Sequence, residues 1–388
     1  MAKPPATIKK SAQDAILREA DALVGLSHRV HGRPELAFEE RETSTWVAEA
    51  LSQAGFAVTK PAYDIETAFI AKVGDGPLHI AICAEYDALP GIGHACGHNI
   101  IASSAVGAGI GLARLASDAG LTVTVIGTPA EELGEASGKI LLLERGAFEG
   151  VHAAMMVHPA PFDVLMPRMT AVATFDVRYT GKAAHAAAWP EQGINAADAL
   201  TLAQTAIGLL RQQMLPTDRV HGIVTDGGDA PNIIPAHSSA RYMTRSERLE
   251  DLGPLHQRVL RCFEAGALAT GAKLEIVGGQ SPYAHVEHDA GLAQIYGRNA
   301  EELGRSFRDL GRVSGSTDMG NVSVAVPSIH PFMGIESSPA VNHQPDFAAC
   351  CIRPAADAAV IDAAVAMAWT ALDIAGDEGV RTRLQSRA

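Results

Sequence analysis

The spacing of apolar residues changes several times along the chain, and its first part predicts helices. Apolar side chains at helical spacing predict a helix from Ser11 to about Val30, and Ser11 and Asp14 are suited to cap its start. A second helix is predicted to end near Gly55. Both helices precede the first strand-like segment.

Strand-like and helical segments then follow one another as far as residue 157. Strands are predicted at residues 67–73 and 78–84, and Asp75-Gly76 between them predicts a hairpin turn. The next predicted elements are a helix at 101–115, a strand at 121–127, a helix at 139–145 and a strand at 151–157. Strands that alternate with helices form parallel sheets, so this part predicts a mostly parallel sheet covered on both faces.

The middle of the chain has a different order of elements. They are a strand at 170–179, a helix at 194–213, strands at 219–226 and 239–244, a helix at 249–269 and a strand at 273–277. This β-α-β-β-α-β order is the signature of a ferredoxin-like domain. After about Val286 the first pattern returns, with a short apolar run at 328–335 and an alanine-rich helix at 355–374.

These patterns together predict an α/β protein in which one domain interrupts another. The first domain, with the mostly parallel sheet, comprises residues 1–168 and 287–388. A smaller ferredoxin-like α+β domain, here called the inserted domain, occupies residues 169–286. The length of 388 residues is also what two domains require.

Composition and charge exclude several classes of partner. The chain is 47% hydrophobic and 19% charged, and 44 acidic residues against 31 basic ones give a formal net charge of -13. A protein this acidic repels phosphate backbones and anionic membranes, so neither nucleic acid nor a membrane is expected as a partner. The charged N-terminus has no apolar core segment, and the apolar run at 100–113 is too short to span a bilayer, so we expect a cytoplasmic protein.

Polar residues cluster after the predicted strands, at the sheet edge where open α/β proteins bind ligands. The clusters are Glu85-Tyr86-Asp87, His94-Ala95-Cys96-Gly97-His98, Glu131-Glu132 and His158. Thiolate, imidazole and carboxylate groups together suit zinc or a neighbouring divalent metal. The Cys-x-His pair by itself is a weak motif, which a buried thiol and a hydrogen-bonded core histidine explain better than a metal site does.

The adjacent Glu131 and Glu132 allow two interpretations. Successive side chains of an extended segment point in opposite directions, so one glutamate would bind metal while the other faces the substrate as a base. The alternative is a solvated helix start, because acidic residues favour the first turn of a helix.

Seven segments in the same order resemble the M20 metallopeptidases. They are Cys-Ala-Glu-Tyr-Asp-Ala-Leu-Pro (83–90), Gly-His-Ala-Cys-Gly-His-Asn (93–99), Thr-Pro-Ala-Glu-Glu (128–132), His-Pro (158–159), Tyr-Thr-Gly-Lys-Ala-Ala-His (179–185), Pro-Asn-Ile-Ile-Pro (231–235) and Asn-His-Gln-Pro (342–345). The chain is most similar to the amidohydrolase branch, which includes aminobenzoyl-glutamate hydrolases, auxin-conjugate hydrolases and the domain-containing-2 dipeptidases. The resemblance extends over about residues 15–375.

The resemblance implies a catalytic domain of the zinc-peptidase type that binds two divalent ions per subunit. Zinc or manganese is implied first, with cobalt and nickel as further candidates. The implied ligands are Cys96, His98, Glu132, His158 and His343. Glu131 matches the family's general base, and Asp87 matches the residue that orients a ligand. Glu85 and Asn99 depart from the commoner residues at their positions, and Glu85 is left out of the ligand set.

The resemblance also implies functions for the inserted domain, as a lid and as the dimerisation domain. His185 matches a histidine that reaches the active site of a partner subunit in relatives, which implies a homodimer. Asn232 and Arg245 match positions near the substrate carboxylate, and a guanidinium group suits a carboxylate. Arg241 and Arg178 compete for this role, and a surface ion pair is an equal alternative for any of these arginines. Residues 316–318 are read either as a pocket-facing loop or as an ordinary turn.

The leading hypothesis is therefore metal-dependent hydrolysis of the amide bond of an N-acyl amino acid or a dipeptide. Glu131 would act as the general base toward a metal-bound water, and the substrate would be a small molecule. One alternative is a catalytically silent metal-binding or scaffold relative. Another is an amidase that does not require a free substrate carboxylate, since both kinds of enzyme would share every motif above.

Overall fold

The computed structural model of the chain describes residues 6–309, 311 and 314–386. The first five residues of the charged N-terminal segment therefore lie outside the described residues, as do residues 310, 312–313 and 387–388 of the predicted first domain. The helices are α1 (Ala6–Arg18), α2 (Ala20–His31), α3 (Arg41–Gln53), α4 (His98–Ala113), α5 (Gly138–Glu144), α6 (Ala196–Leu210), α7 (Leu249–Thr270), α8 (Ala290–Glu302), α9 (Met319–Ala325), α10 (Pro345–Cys350), α11 (Pro354–Gly376) and α12 (Glu378–Gln385).

The strands of the first domain are β1 (Ala57–Thr59), β2 (Phe69–Val73), β3 (Leu78–Ala84), β4 (Leu121–Gly127), β5 (Ala153–Met155), β6 (His158–Ala160), β7 (Arg168–Met169), β12 (Ser314–Gly315), β13 (Ser328–Ile329) and β14 (Phe332–Gly334). Six of them form one sheet in the order β1-β2-β4-β3-β5-β13. The pairings from β4 to β13 are parallel, and the β1–β2 and β2–β4 pairings are antiparallel. The predicted α/β class with a mostly parallel sheet is confirmed.

The predicted hairpin between β2 and β3 is wrong. β4 lies between these strands, antiparallel to β2 and parallel to β3. The connection crosses the start of β4, where the backbone N–H of Gly76 donates to the carbonyl of Leu121 over 3.1 Å. A Cβ atom on Gly76 would lie 1.9 Å from the carbonyl carbon of Gly120. Glycine is therefore required here for a close backbone crossing rather than for a hairpin turn.

The central strand β3 is buried on both faces, which explains its continuous apolar sequence. Ile80 and Ile82 pack in the core cluster that contains residues of α4 and α11, whereas Ala81 and Cys83 pack with residues of α5 and α9. The sheet thus separates two helical layers and presents its strand ends at one edge.

One helix prediction needs correction, and one helix that was predicted resembles a membrane span. The single N-terminal helix is in fact the pair α1 and α2, and Ser11 lies inside α1, where its hydroxyl donates to the carbonyl of Thr7 over 2.9 Å. α11 is long and apolar enough to cross a membrane by length and composition. However, 78% of the most apolar stretch of this helix is buried, because α11 packs against α1, α4 and α8 as a core helix.

The inserted domain contains β8 (Ala171–Thr180), β9 (Arg219–Asp226), β10 (His237–Ser246) and β11 (Lys273–Gly278). They form an antiparallel sheet in the order β11-β8-β10-β9, so β9 and β11 are the edges. The side chain of Asn195 caps α6 by accepting the N–H groups of Ala197 and Asp198. α6 and α7 pack together and share one apolar core with the sheet. This is the predicted ferredoxin-like order of elements.

Candidate active site and metal centre

The ends of β3 and β4 carry the first group of site residues. The N–H of Thr128 donates to the carbonyl of Ala84 over 2.8 Å, which joins the two strand ends. Asp87 follows β3. Glu131 and Glu132 follow β4 in a short 3-10 helix, which we call the glutamate turn (residues 131–134).

The glutamate turn corrects both sequence interpretations of Glu131 and Glu132. It is neither an extended segment nor a solvated helix start, because the side chains of both glutamates are more than 90% buried. Ala130 enters the turn in the left-handed region, at a φ of 62°. Its N–H is held by a carboxylate oxygen of the buried Glu40 at 2.8 Å.

A tight glycine loop presents Cys96 and His98. Gly97 has a φ of +78° and immediately precedes α4, which begins at His98. A Cβ atom on Gly97 would lie 2.5 Å from a ring carbon of Pro159. The left-handed backbone and the close contact both favour glycine, which brings Cys96 and His98 up to β6.

The structure brings the five predicted metal ligands together. The Cys96 sulfur lies 3.5 Å from Nε2 of His158. Nε2 of His98 lies 3.9 Å from a carboxylate oxygen of Glu132, whose other oxygen lies 3.6 Å from Nε2 of His343. Potential ligand atoms lie within 4.8 Å of one another in each of three groups. The groups are Cys96 with His98 and His158, Cys96 with Glu132 and His343, and His98 with Glu131 and Glu132.

Hydrogen bonds orient two of the imidazoles for metal binding. Nδ1 of His98 donates to Asp87 at 3.0 Å, because a carboxylate can only accept. Nδ1 of His158 donates to the carbonyl of Pro159 at 2.8 Å. In both histidines Nδ1 is thus used for orientation, and Nε2 is the nitrogen that faces the cluster and is left for a metal. The second oxygen of Asp87 accepts the N–H of Glu132 at 2.9 Å, so one carboxylate orients two of the candidate ligands.

Buried atoms without partners test whether this set fits a metal. Nε2 of His98 and one carboxylate oxygen of Glu132 are buried and make no hydrogen bond within the described residues. Unpaired buried polar atoms are costly, so such atoms converging on one point call for a ligand. The set offers sulfur, nitrogen and oxygen donors, which suit zinc and its neighbours. The residues present fit divalent metal ions.

The electrostatics of the cluster lead to the same conclusion. Burial, reinforced by the nearby Glu85 and Glu132, raises the pKa of Glu131 well above its usual range. Burial also raises the pKa of Glu132, to about 7. Burial alone would lower the pKa of His98, but the charge and the hydrogen bond of Asp87 outweigh burial and raise this pKa. Bound cations would relieve the repulsion among these carboxylates.

Sequence reasoning missed a buried ion-pair network beside the glutamate turn. Nζ of Lys139 contacts Glu85, and it also contacts Asp318 at 2.6 Å. All three side chains are completely buried. The second carboxylate oxygen of Glu85 lies 3.5 Å from Nε2 of His98, so the network borders the metal cluster. A single lysine in the apolar segment 138–143 was the only sequence signal of it.

The structure does not bring the three site residues of the inserted domain into the metal cluster. His185 is exposed, and its Nδ1 accepts the N–H groups of Ala187 and Ala188. Asn232 is exposed, and its backbone carbonyl accepts the N–H of Ala186 at 3.0 Å. Among the described residues, none of the five candidate ligands is hydrogen-bonded to His185, Asn232 or Arg245.

Arg245 is distinguished from its two competitors by what it contacts. Its guanidinium donates to the hydroxyl of Ser316 in the first domain at 2.8 Å. Arg241 pairs instead with Asp176 at 2.7 Å, and Arg178 with Glu275 at 3.7 Å, both within the exposed surface of the inserted sheet. Ser316 is two residues from the buried Asp318, so Arg245 alone of the three reaches the loop that borders the glutamate turn.

Comparison with known proteins identifies the family. The sequence profile of Peptidase family M20/M25/M40 matches residues 81–361, so the chain belongs to this family. It is 39% identical to the Xaa-Arg dipeptidase of Mus musculus, over 98% of this chain and 93% of the relative. It is 34% identical to one polypeptide of the p-aminobenzoyl-glutamate hydrolase of Escherichia coli, over 69% of this chain and 60% of the relative.

A solved structure supports the fold. A dinuclear metal-binding M20 peptidase of Bacillus subtilis superposes with a TM-score of 0.67 at 23% identity, covering 90% of this chain and 97% of the other. The family and the fold predicted from the sequence are both confirmed. The protein is an M20-type enzyme, and amide hydrolysis is its class of reaction.

Proposed function

We propose that the protein hydrolyses the amide bond of an N-acyl amino acid or a dipeptide, with Glu131 as the general base. The observation that carries this proposal is the glutamate turn, which places Glu131 beside a cluster of five candidate metal ligands. The similar proteins from mouse and Escherichia coli are named for a dipeptide and for an acylated glutamate. These names support a small substrate whose amide bond joins it to an amino acid.

The candidate ligands Cys96, His98, Glu132, His158 and His343 would hold two divalent ions. Zinc or manganese is proposed first, and cobalt or nickel second. When bound, such ions lower the pKa of a coordinated water and polarise the carbonyl of the substrate.

Residues of the chain would transfer the proton and stabilise the negative charge on the oxyanion. Glu131, made more basic by burial and by Glu85, would take a proton from the attacking water and deliver it to the leaving amine. Asp87 would keep His98 in the ligating tautomer throughout. His185, supplied by a partner subunit, would donate a hydrogen bond to the oxyanion, an interaction worth about 3–4 kcal/mol in comparable sites.

The substrate carboxylate is assigned to Arg245 and Asn232. Arg245 is partly buried and already bonded to Ser316 near the site, while Asn232 lies in the segment paired with His185. A guanidinium group recognises a carboxylate with two parallel hydrogen bonds, which favours Arg245 over a lysine in this role.

Metal removal combined with a substrate screen tests the proposal. The metal-loaded protein is expected to cleave N-acyl amino acids or dipeptides, to lose this activity when a chelator removes the metal, and to regain it with Zn²⁺ or Mn²⁺. Bound metal without hydrolysis of any compound in acyl and dipeptide libraries would instead favour a silent metal-binding relative.

A second comparison tests the carboxylate assignment. Wild type is expected to prefer an acyl amino acid over its carboxamide, and Arg245→Ala is expected to lose that preference. Arg241→Ala is the matched control, since Arg241 is paired with Asp176 away from Ser316. An unchanged ratio in Arg245→Ala would support an amidase that does not require the free carboxylate.

A further inference from the structure

Tyr283 makes two hydrogen bonds to the glutamate turn. This residue lies in the segment 279–286, which leads from the inserted domain back to the first domain. Its hydroxyl donates to the carbonyl of Glu131 and accepts the N–H of Gly134 over 2.9 Å. One side chain therefore bridges the first and last residues of the turn that carries Glu131 and Glu132.

The backbone of Tyr283 is fixed independently of this hydroxyl. Its N–H and carbonyl both pair with Val172 at the start of β8, at 2.9 and 3.0 Å. The side chain of Asn321, in α9, accepts the N–H of Ala284 and donates to the carbonyl of Pro282. The residues on both sides of Tyr283 are thus tied to the first domain, and Tyr283 itself is tied to the inserted domain.

The ring of Tyr283 is also held by packing. It is 3% exposed and contacts Ile140 of α5 and Val172 of β8 in one small apolar cluster. A rigid ring on a fixed backbone leaves the hydroxyl no freedom to follow the glutamate turn. The turn must therefore adopt the position that the hydroxyl sets, because otherwise two buried polar groups would lose their partners.

We propose that Tyr283 is a positioning residue, which fixes the glutamate turn in register with the junction between the two domains. It acts through Glu131 and Glu132 and does not contact the reacting atoms. The inference rests on the proposed function for its effect on hydrolysis, but its effect on metal binding follows from the turn alone. A displaced base loses rate steeply, since a 1 Å misplacement costs about 100-fold.

The test is Tyr283→Phe, which deletes both hydrogen bonds and keeps the ring. We expect kcat to fall about tenfold to 100-fold with a much smaller change in KM, because binding groups elsewhere are untouched. We also expect the metal-free protein to bind Zn²⁺ about tenfold to 100-fold more weakly, measured by competition with a chelator.

Tyr179→Phe is the matched control. Tyr179 is also buried, and its hydroxyl donates to the carbonyl of Phe263 at 2.7 Å, but within the core of the inserted domain. Tyr179→Phe should lower thermal stability without changing kcat or Zn²⁺ affinity. Equal effects of the two substitutions on kcat and Zn²⁺ affinity would overturn the proposal, as would wild-type values of both in Tyr283→Phe.

Failure of the proposed function would be recognised separately. Full activity in Glu131→Gln would reject Glu131 as the base, whatever Tyr283→Phe does. The Zn²⁺ affinity of Tyr283→Phe would still decide whether the hydroxyl positions the turn.

Discussion

The adjacent glutamates Glu131 and Glu132 have different neighbours in the candidate site. Glu131 lies near Glu85 and Asp318, whereas Glu132 lies near Cys96 and His343. Both carboxylates come within 4.0 Å of Nε2 of His98, but Glu131 also borders the buried network, whereas Glu132 also borders the other ligands. The expected extended backbone was wrong, and the different roles of the two glutamates stay a prediction.

The base assignment leads to a prediction for Glu131→Gln. Turnover should fall at least about 100-fold, because general-base catalysis is typically worth 10²–10⁴-fold, while metal content measured by elemental analysis should remain. Glu135→Gln is the control: this residue follows the same turn, but its carboxylate accepts the N–H of Gln280 instead of facing the ligands. A fully active Glu131→Gln enzyme would refute the assignment.

The buried network leads to a prediction for Lys139→Met. Removal of the ammonium leaves Glu85 and Asp318 buried without their cation, and loss of one partner from a buried pair costs about 3–5 kcal/mol. Guanidinium unfolding should report this loss. Lys72→Met, at an exposed position of β2, should change the free energy of unfolding by less than about 0.5 kcal/mol. A loss below about 1 kcal/mol for Lys139→Met would contradict the role given to this ion pair.

At the scale of elements, the two helices of the inserted domain approach closely because of one glycine. A Cβ atom on Gly266 in α7 would lie 2.2 Å from the carbonyl oxygen of Ala199 in α6. The backbones themselves are in contact there, so no side chain can move aside. In contrast, Gly208 of α6 faces open space, with nothing within 4 Å of its Cβ position.

These two glycines should respond to alanine with opposite signs. Gly266→Ala should destabilise the protein by about 1–3 kcal/mol through overpacking between α6 and α7. Gly208→Ala should stabilise it by about 0.5–1 kcal/mol, because alanine loses less backbone entropy in a helix. The midpoints of thermal unfolding of both variants would provide the measurement. A neutral Gly266→Ala would show that the helices can separate at no cost.

Periodicity located most elements because it reports burial along a continuous segment. β4 and β9 begin and end where the pattern places them, and the ferredoxin-like order is clear from the sequence. Strand pairing is not local, however. Asp75-Gly76 favours a hairpin by itself, and only the position of β4 between β2 and β3 excludes one.

In the candidate site too, residues that are close in sequence could be predicted, whereas contacts between distant parts of the chain could not. The motifs at 93–99 and 128–132 identify residues that are close in sequence, and His343 could be joined to them only through the family resemblance. Lys139 and Tyr283 were missed, because their partners Asp318 and Glu131 lie 179 and 152 residues away. Nothing in their local spacing distinguishes them from ordinary core residues.

At the scale of the whole molecule, the exposed position of His185 bears on assembly. Its own subunit gives it no hydrogen bond to the candidate ligands among the described residues. On the edge strand β9 of the same domain, Ile223 is 65% exposed and Val224 is 50% exposed. An exposed edge strand with apolar side chains can pair with a second copy, so we propose a homodimer through β9.

Mixing two inactive variants tests this assembly. Glu131→Gln subunits keep His185, and His185→Ala subunits keep Glu131, so a mixed dimer contains one complete site. Randomly exchanged dimers should recover about a quarter of wild-type activity. Ile223→Lys should prevent both dimerisation and recovery, whereas Val277→Lys on the opposite edge β11 should not. Activity of monomeric Ile223→Lys would contradict a contribution from the partner.

The location of α11 in the core determines when the first domain can fold during synthesis. This helix covers α4, yet it is synthesised after the whole of the inserted domain. The last strand of the inserted domain ends at residue 278 and the domain has its own core, so it can fold while the first domain still exposes apolar surface. A message that stops before Pro354 would therefore yield a folded inserted domain attached to an aggregation-prone remainder, because the apolar surface of α4 stays uncovered until α11 has been translated.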